Sequence, residues 1–353
     1  MLSKLKQYLY FPLGLLKTFK QTKHIKCSKY PGKRIILLNV PSHGNLGDHL
    51  LSVASQEFFH ENFPEYELLC VTSSQLYFSI GISLRGVTEK DILCVAPGGF
   101  LGSLYAEENR VLNIIRRYPK NKIIILPQSY YYEETSSGLE KKNKAREVYQ
   151  NHFHLYVTAR EQKSYDLLVN DIMEGKEERV LLLPDMALFL ERRLSSLKRN
   201  GVLWCMRNDS EINVANNSAV VELKRKIKQL GWQQSYTDTY VNYSIPLNRE
   251  YEEVEKKIKE FQTAKIVVTD RLHGMIYAYL TGTPAIVFDN VSGKVSHVYK
   301  LWLNNVPYIK FATNNSDWAE LILSLGTYDE TSFDSNVLIE KFKGLVKLIG
   351  NDK

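Results

Sequence analysis

No acidic residue occurs in the first 47 positions of this 353-residue chain. Lys4, Lys6, Lys17, Lys20, Lys23, Lys26, Lys29, Lys33 and Arg34 stand there unopposed, and the earliest carboxylate is Asp48. Setting those nine aside leaves 37 basic residues against 39 acidic ones, so the net charge of +7 belongs to an N-terminal arm and the body is slightly acidic. A body without a basic surplus lacks the electrostatic footprint of a nucleic-acid groove, and no nucleic-acid partner is expected. Cysteine is scarce as well. None of the four forms a Cys-x-x-Cys pair, and Cys70, Cys94 and Cys205 each stand in an apolar, strand-like run. They read as buried, reduced thiols of a cytoplasmic protein. The eight histidines do not cluster with cysteines at zinc spacing, and His43 and His49 bracket a loop rather than share a helix face, so no metal is expected. A membrane-spanning run is lacking too, because the apolar stretch Tyr8 to Leu16 falls short of the ~20 residues a bilayer requires. Pro12 interrupts that stretch and no small-residue cleavage site follows before Lys17, which argues against a secretory signal.

What the arm does contain is Leu2, Leu5, Tyr8, Leu9, Phe11, Leu13, Leu15, Leu16 and Phe19 interleaved with lysines. This is the pattern of a basic amphipathic segment lying on an anionic membrane, with a plain surface helix as the alternative. The whole chain is ordinary for a globular protein, 44% hydrophobic and 24% charged. Its length exceeds a single core and predicts two domains.

From Arg34 onward short apolar runs alternate with helical patterns. Strands are expected at Ile35 to Val40, Leu68 to Thr72, Ile92 to Ala96, Lys122 to Leu126, Leu155 to Thr158 and Val180 to Leu183. Helices are expected at Leu50 to His60, Glu108 to Tyr118, Leu139 to Asn151 and Gln162 to Asp171. After the polar stretch Glu191 to Asn200 the series resumes, with strands at Val202 to Met206, Lys265 to Val268, Ala285 to Phe288 and Tyr308 to Phe311. Its helices are expected at Ser218 to Leu230, Glu250 to Gln262, Met275 to Leu280 and Asp317 to Leu325. The expectation is an α/β chain of two doubly wound, Rossmann-like domains facing across a cleft. Its segments would be an arm (1–33), an N-terminal domain (34–190), a linker (191–200), a C-terminal domain (201–328) and a last helical segment (329–353) returning to the first domain.

In a parallel sheet the strand ends share one edge, and that edge is where open α/β sheets bind ligands. Several polar turns fall there. Strand Lys265-Ile-Val-Val268 runs into Thr269-Asp-Arg-Leu-His-Gly-Met275. Arg271 can grip a carboxylate or phosphate with two parallel hydrogen bonds, His273 can move a proton near neutral pH, and the helix start at Gly274 offers backbone N–H groups to an anion. The bland alternative is a capping Asp270, a surface-paired Arg271 and a packed His273. Pro41-Ser-His-Gly-Asn-Leu-Gly-Asp-His-Leu50 follows the first strand, and Ala96-Pro-Gly-Gly-Phe-Leu-Gly-Ser-Leu-Tyr105 follows the third. Further strands end in Leu126-Pro-Gln-Ser129, Thr158-Ala-Arg-Glu-Gln-Lys-Ser164 and Leu183-Pro-Asp-Met-Ala187. Tyr130-Tyr-Tyr132 either packs or stacks on a sugar face.

The ordered set Gly44-Asn-Leu-Gly-Asp48, Gly98-Gly-Phe-Leu-Gly102, Leu126-Pro-Gln128, Arg160-Glu-Gln-Lys-Ser164, Pro184-Asp185, Arg207, Thr269-Asp-Arg-Leu-His-Gly274 and Phe288-Asp-Asn-Val-Ser-Gly-Lys294 closely resembles the polysaccharide pyruvyl transferase family of bacterial exopolysaccharide and capsule clusters. The resemblance covers roughly residues 33 to 325. It implies a GT-B-like fold and transfer of the enolpyruvyl-derived group of phosphoenolpyruvate to two hydroxyls of a sugar as a cyclic ketal, with release of phosphate. Phosphoenolpyruvate would be a co-substrate, with no cofactor. Arg271, His273 and Gly274, with Arg160 as a second cation from the other domain, would hold the donor. Asp48 would take a proton from the sugar, and His273 would be the acid for the methylene carbon or for departing phosphate. Asn45, Gly98, Gly99, Gln128, Arg207, Asn290 and Lys294 would line the acceptor side or the cleft. Two departures stand out, Pro97 where members often carry a third glycine and Ser103 where they often carry an aspartate. The expected role is a cytoplasmic enzyme acting on a hexose of a lipid-linked oligosaccharide, its arm at the inner face of the cell membrane. The rivals are a nucleotide-sugar glycosyltransferase of the same architecture and a non-catalytic scaffold subunit of a polysaccharide assembly complex.

Overall fold

The computed structural model describes residues 2–22, 33–191, 194, 198–207, 213–313, 316–328 and 333–350. Half of the expected linker, 192–193 and 195–197, and residues 23–32 of the arm lie outside the described residues.

Seven parallel strands form the first sheet: β1 (Arg34–Val40), β2 (Glu67–Thr72), β3 (Ile92–Val95), β4 (Gly98–Gly102), β5 (Ile123–Tyr131), β6 (Leu155–Ala159) and β7 (Val180–Leu182). Their order is β2-β1-β3-β5-β6-β7, with β4 pairing the distal half of β5. Continuous apolar runs such as Ile35–Leu38 and Ile123–Leu126 are wholly buried. That is the pattern of strands covered on both faces, so they pair in parallel through crossover helices. The second sheet holds β8 (Asn200–Cys205), β9 (Gln234–Thr237), β10 (Ala264–Thr269), β11 (Ala285–Val287) and β12 (Ile309–Phe311) in the order β12-β11-β10-β8-β9, again all parallel. The two windings are alike: the second strand of each sheet lies on one side of the first and the third on the other. Each therefore has one switch point, between β1 and β3 and between β8 and β10, where diverging loops leave room for a ligand.

Two strands escape the sequence reading. β9 is Gln234-Ser-Tyr-Thr237 on an exposed sheet edge, without an apolar run to mark it. The glycine-rich segment expected to be a turn is itself β4, and Leu101 and Gly102 register with Tyr130 and Tyr131. Tyr130 and Tyr131 are correspondingly the end of a long strand and Tyr132 follows it: Tyr130 is buried, while the Tyr132 hydroxyl donates to Glu108. Ser103 is packed, its hydroxyl joined to Glu133, and this accounts for the serine in structural terms.

The chain divides into two compact units. The first comprises residues 1–43, 51–186 and 344–353, and the second residues 44–50 and 187–343. Residues 44–50, expected in the N-terminal domain, are thus grouped with the second unit, and the part of the last segment grouped with the first begins at Gly344. Arg34, counted among the arm's cations, is a buried structural residue whose guanidinium donates to both oxygens of Asp91 at 2.7 and 2.5 Å. In the first unit the helix Leu2–Gln21 is docked, with Phe11 against Phe78 and the Arg85 guanidinium over the Phe19 ring. A Cβ on Gly14 would meet the far edge of the Phe78 ring at 2.1 Å, so any larger residue there would force that ring aside. No helix among the described residues is long and apolar enough to cross a membrane.

Candidate active site

The carboxyl edge of the second sheet gathers the polar residues of that unit. β8 ends at Cys205 and leads to Arg207, β9 leads to Asp238, β10 leads to Asp270 and Arg271, and β11 leads to Asp289 and Asn290. Because β11, β10, β8 and β9 are neighbours in that order, Arg207 and Arg271 flank the switch point between β8 and β10. Asp270 is buried and accepts a hydrogen bond from the Arg207 backbone N–H at 2.8 Å, tying the two strand ends together. Burial raises its pKa, opposed by that bond and by the charges of Arg207 and Arg271. The capping role weighed for Asp270 is therefore replaced by a strand-to-strand brace.

Arg271 has extended backbone at φ −98° and ψ 131°, immediately before the helix Leu272–Thr281. Its N–H donates to Thr269 Oγ1 at 3.1 Å, and that hydroxyl itself donates to the Cys205 carbonyl at 2.7 Å. The side chain donates to Asp238 Oδ2 at 2.7 Å. Asp238 lies 33 residues upstream, and only the pairing of β8 with β9 brings it to this edge. The first N–H groups of the helix precede its first internal bond, Met275 N–H to Arg271 C=O, and face an anion-favouring end. Gly274 has a packing reason of its own, since a Cβ there would fall 2.2 Å from Thr269 Oγ1 and 3.3 Å from Cys205 Sγ.

The Gly44-Asn-Leu-Gly-Asp48 turn is built into the same unit. Asn45 forms an isolated antiparallel bridge with Tyr240, Leu46 N–H donates to Thr239 C=O at 2.7 Å, and Val241 N–H donates to Gly44 C=O at 2.8 Å. A Cβ on Gly44 would lie 1.8 Å from the Val241 carbonyl oxygen. Tyr277, on the helix that carries His273, donates its hydroxyl to Leu46 C=O at 3.0 Å. His49 and Glu250, both fully buried, are joined at 2.8 Å. The turn is held so closely that a Cβ on Gly47 would stand 2.1 Å from Nδ1 of His273. Asn45 orients the next candidate: its amide donates to Asp48 Oδ2 at 2.9 Å while its Oδ1 accepts the Gly47 N–H at 3.0 Å. The half-buried Asp48 thus follows directly on the glycine that touches the His273 imidazole.

Asn290 shapes its own loop. Its Oδ1 accepts the Lys294 N–H at 3.1 Å and its amide donates to Ser292, closing the turn into the short helix Lys294–Val298. The remaining sequence-predicted residues belong to the first unit. Arg160 is buried at the end of β6, donating to Ser129 Oγ at 2.9 Å and to the fully buried Asp185 at 2.7 Å. Gln128 is fully buried and donates to Ala96 C=O at 2.6 Å. Gly98 has φ +157° and registers with Gln128, with half-buried Gly99 next to it. The structure therefore brings Asn45, Asp48, Arg207, Arg271, His273, Gly274, Asn290 and Lys294 into one unit and Gly98, Gly99, Gln128 and Arg160 into the other. Asp238, Glu250 and Tyr277 are site-building residues without a local sequence signal, because each acts through a partner far away in the chain.

This constellation has relatives. Residues 45–292 match the family described as Polysaccharide pyruvyl transferase. General stress protein 30 of Bacillus subtilis is 32% identical over 295 residues, spanning 82% of this chain and 83% of that protein. Pyruvyl transferase 1 of Schizosaccharomyces pombe is 25% identical over 304 residues, 77% of this chain and 70% of that protein. A solved structure from Klebsiella pneumoniae shares the fold with a TM-score of 0.55 at 21% identity, covering 84% of this chain and 98% of its own. The matched region takes in both the turn carrying Asp48 and the turn carrying Arg271 and His273, and on that ground the chain belongs to the polysaccharide pyruvyl transferase family.

Proposed function

We propose that this transferase moves the enolpyruvyl-derived group of phosphoenolpyruvate onto two hydroxyls of a hexose in a lipid-linked polysaccharide precursor. One observation carries the reading: the glycine turn bearing Asp48 lies against the imidazole of His273, in the unit that also holds Arg271. An acceptor for a sugar proton, a donor for a carbon or phosphate proton and a cation for the donor anion are thereby provided together.

In the first step a sugar hydroxyl oxygen bonds to the central carbon of phosphoenolpyruvate, its proton passes to Asp48, and the methylene carbon takes a proton from His273 to become a methyl group. The second hydroxyl oxygen then bonds to the same carbon as the carbon–oxygen bond to phosphate breaks, and its proton leaves with inorganic phosphate. The central carbon keeps its carboxylate throughout. Arg271 grips the donor anion, with the helix N-terminus supplying N–H groups and Arg207 adding positive charge from the neighbouring strand end. Asp238 holds the Arg271 guanidinium in place before the donor arrives. Mass spectrometry of candidate lipid-linked oligosaccharides incubated with the enzyme and phosphoenolpyruvate tests the whole reading. Gain of one pyruvate as a ketal supports it; unchanged acceptors across the panel, with no phosphate release, overturn it.

The N-terminal helix would bring the enzyme to its lipid-linked acceptor. Leu13, Leu16 and Phe19 are exposed beside exposed Lys17 and Lys20. Apolar side chains flanked by lysines suit the interface of an anionic leaflet.

A further inference from the structure

The chain leaving β9 runs as a strap along the turn that carries Asp48. Leu46 N–H donates to Thr239 C=O and Val241 N–H to Gly44 C=O, on either side of the Asn45–Tyr240 bridge. The fit is close, since a Cβ on Gly44 would stand 2.8 Å from the Tyr243 carbonyl oxygen as well. Both ends of the strap are anchored within the second unit. Lys257 Nζ donates to Thr237 Oγ1 at 2.7 Å, and the Tyr243 hydroxyl donates to Glu253 Oε2 at 2.7 Å.

Asp238 is the residue of this strap that reaches Arg271. Its two carboxylate oxygens serve different partners: Oδ2 accepts from the guanidinium at 2.7 Å, and Oδ1 accepts the Tyr240 N–H at 3.0 Å. Tyr240 is bridged to Asn45, whose amide donates to Asp48 Oδ2 at 2.9 Å. A continuous path therefore runs from Arg271 through Asp238, Tyr240 and Asn45 to Asp48, every member in the second unit. Holding the strap does not account for it, because two backbone bonds and two anchored ends do that already. A carboxylate beside an anion-gripping arginine also repels the anion. What it supplies is the connection.

We infer that Asp238 couples donor binding to the placing of the base: once phosphoenolpyruvate fills the Arg271 grip, the strap tightens on the Gly44–Asp48 turn and fixes Asp48 for the sugar proton. An anion that takes further N–H donors of Arg271 immobilises the guanidinium, and order gained at one end of a bonded path lowers the entropy cost of ordering the other. The inference rests on the roles of Arg271 and Asp48 proposed above and adds a positioning residue to them.

The test is amide exchange, read by mass spectrometry in peptides covering 44–48 and 238–241 of the full-length protein, with and without phosphoenolpyruvate, alongside the kinetics of phosphate release. No orientation of an asparagine amide accepts at both places, so Asp238→Asn cuts the path at one bond with almost no change of volume. In the wild type phosphoenolpyruvate should slow exchange of the Leu46 and Val241 amides about tenfold, and in Asp238→Asn it should bind and leave them unchanged. The variant's kcat should fall about tenfold while KM for phosphoenolpyruvate stays within a few-fold, because Arg271 keeps its charge and loses a competing one. Asp238→Ser, whose hydroxyl can serve the Tyr240 N–H but falls short of Arg271, should repeat both results, and the Tm of each variant should lie within a few degrees of wild type. A merely structural residue would instead lower Tm and change exchange equally with and without the donor. The inference is overturned if phosphoenolpyruvate slows exchange alike in variants and wild type, if the wild type turns over with no change of exchange, or if the variants turn over within a few-fold of wild type. Phosphoenolpyruvate that alters neither exchange nor turnover of the wild type overturns the donor reading, and the coupling with it.

Discussion

A lysine at position 271 would keep the charge but lose the planar, two-bond grip. Arg271→Lys is therefore expected to lose at least tenfold in phosphate release from phosphoenolpyruvate, with Tm nearly unchanged. Turnover within a few-fold of wild type would remove Arg271 from the donor site. Gly47→Ala probes a different contact, because its Cβ would fall 2.1 Å from Nδ1 of His273. His273 Cγ and Cβ would stand 2.5 and 2.9 Å from it as well, so the whole residue must shift, and activity should fall by an order of magnitude or more together with a lower Tm. Retained turnover would show that the position of His273 does not matter to the reaction. His273→Ala and Asp48→Asn should fold and yet abolish phosphate release; if either turns over near wild type, that residue is structural. The sequence made Arg271, His273 and Asp48 legible because their turns follow apolar strands. It could not show Asp238, which has no motif of its own and meets Arg271 only through the pairing of β8 with β9.

β4 illustrates how an element hides inside a motif. Gly98-Gly-Phe-Leu-Gly102 reads as a turn because glycine is a poor strand former, and it is a strand because β5 continues past β3 and offers it an edge. Glu108 pins it: its carboxylate accepts the Gly102 N–H at 3.1 Å and the Tyr132 hydroxyl. Burial lifts the Glu108 pKa to about 7 against these bonds. A folded pKa raised above the unfolded value means that the folded state holds the proton more tightly, so the stability contribution is complete below about pH 4.5 and is lost as pH rises through about 7. Thermal melts should show this component of Tm declining between those pH values in the wild type and missing from Glu108→Gln. An identical pH dependence in the two proteins would mean that Glu108 does not titrate in that range. The N-terminal helix is the other element in question. Leu13 and Leu16 point to solvent while Phe11 and Phe19 also touch the first unit. Leu13→Glu with Leu16→Glu should therefore weaken sedimentation with anionic vesicles without lowering Tm. Equal sedimentation of variant and wild type at low salt would refute membrane contact through this face.

For the molecule as a whole, a ligand that binds only the folded protein raises Tm by mass action. Phosphoenolpyruvate should do so and UDP-sugars should not; the reverse result would favour a nucleotide-sugar enzyme. Residue order alone carried the α/β class, the two-sheet division and most strand positions, because runs buried on both faces leave a continuous apolar signal that needs no partner to be read. It carried the family too, since strand-end turns are local in sequence and keep their order along the chain. Tertiary structure alone decided what those turns touch. It grouped residues 44–50 with the second unit, set Gly47 against His273 across 226 residues of chain, and paired Arg271 with Asp238. The physical reason is the same in each case. A local pattern states which groups a segment presents, whereas their partners depend on strand order and register, which long-range packing fixes.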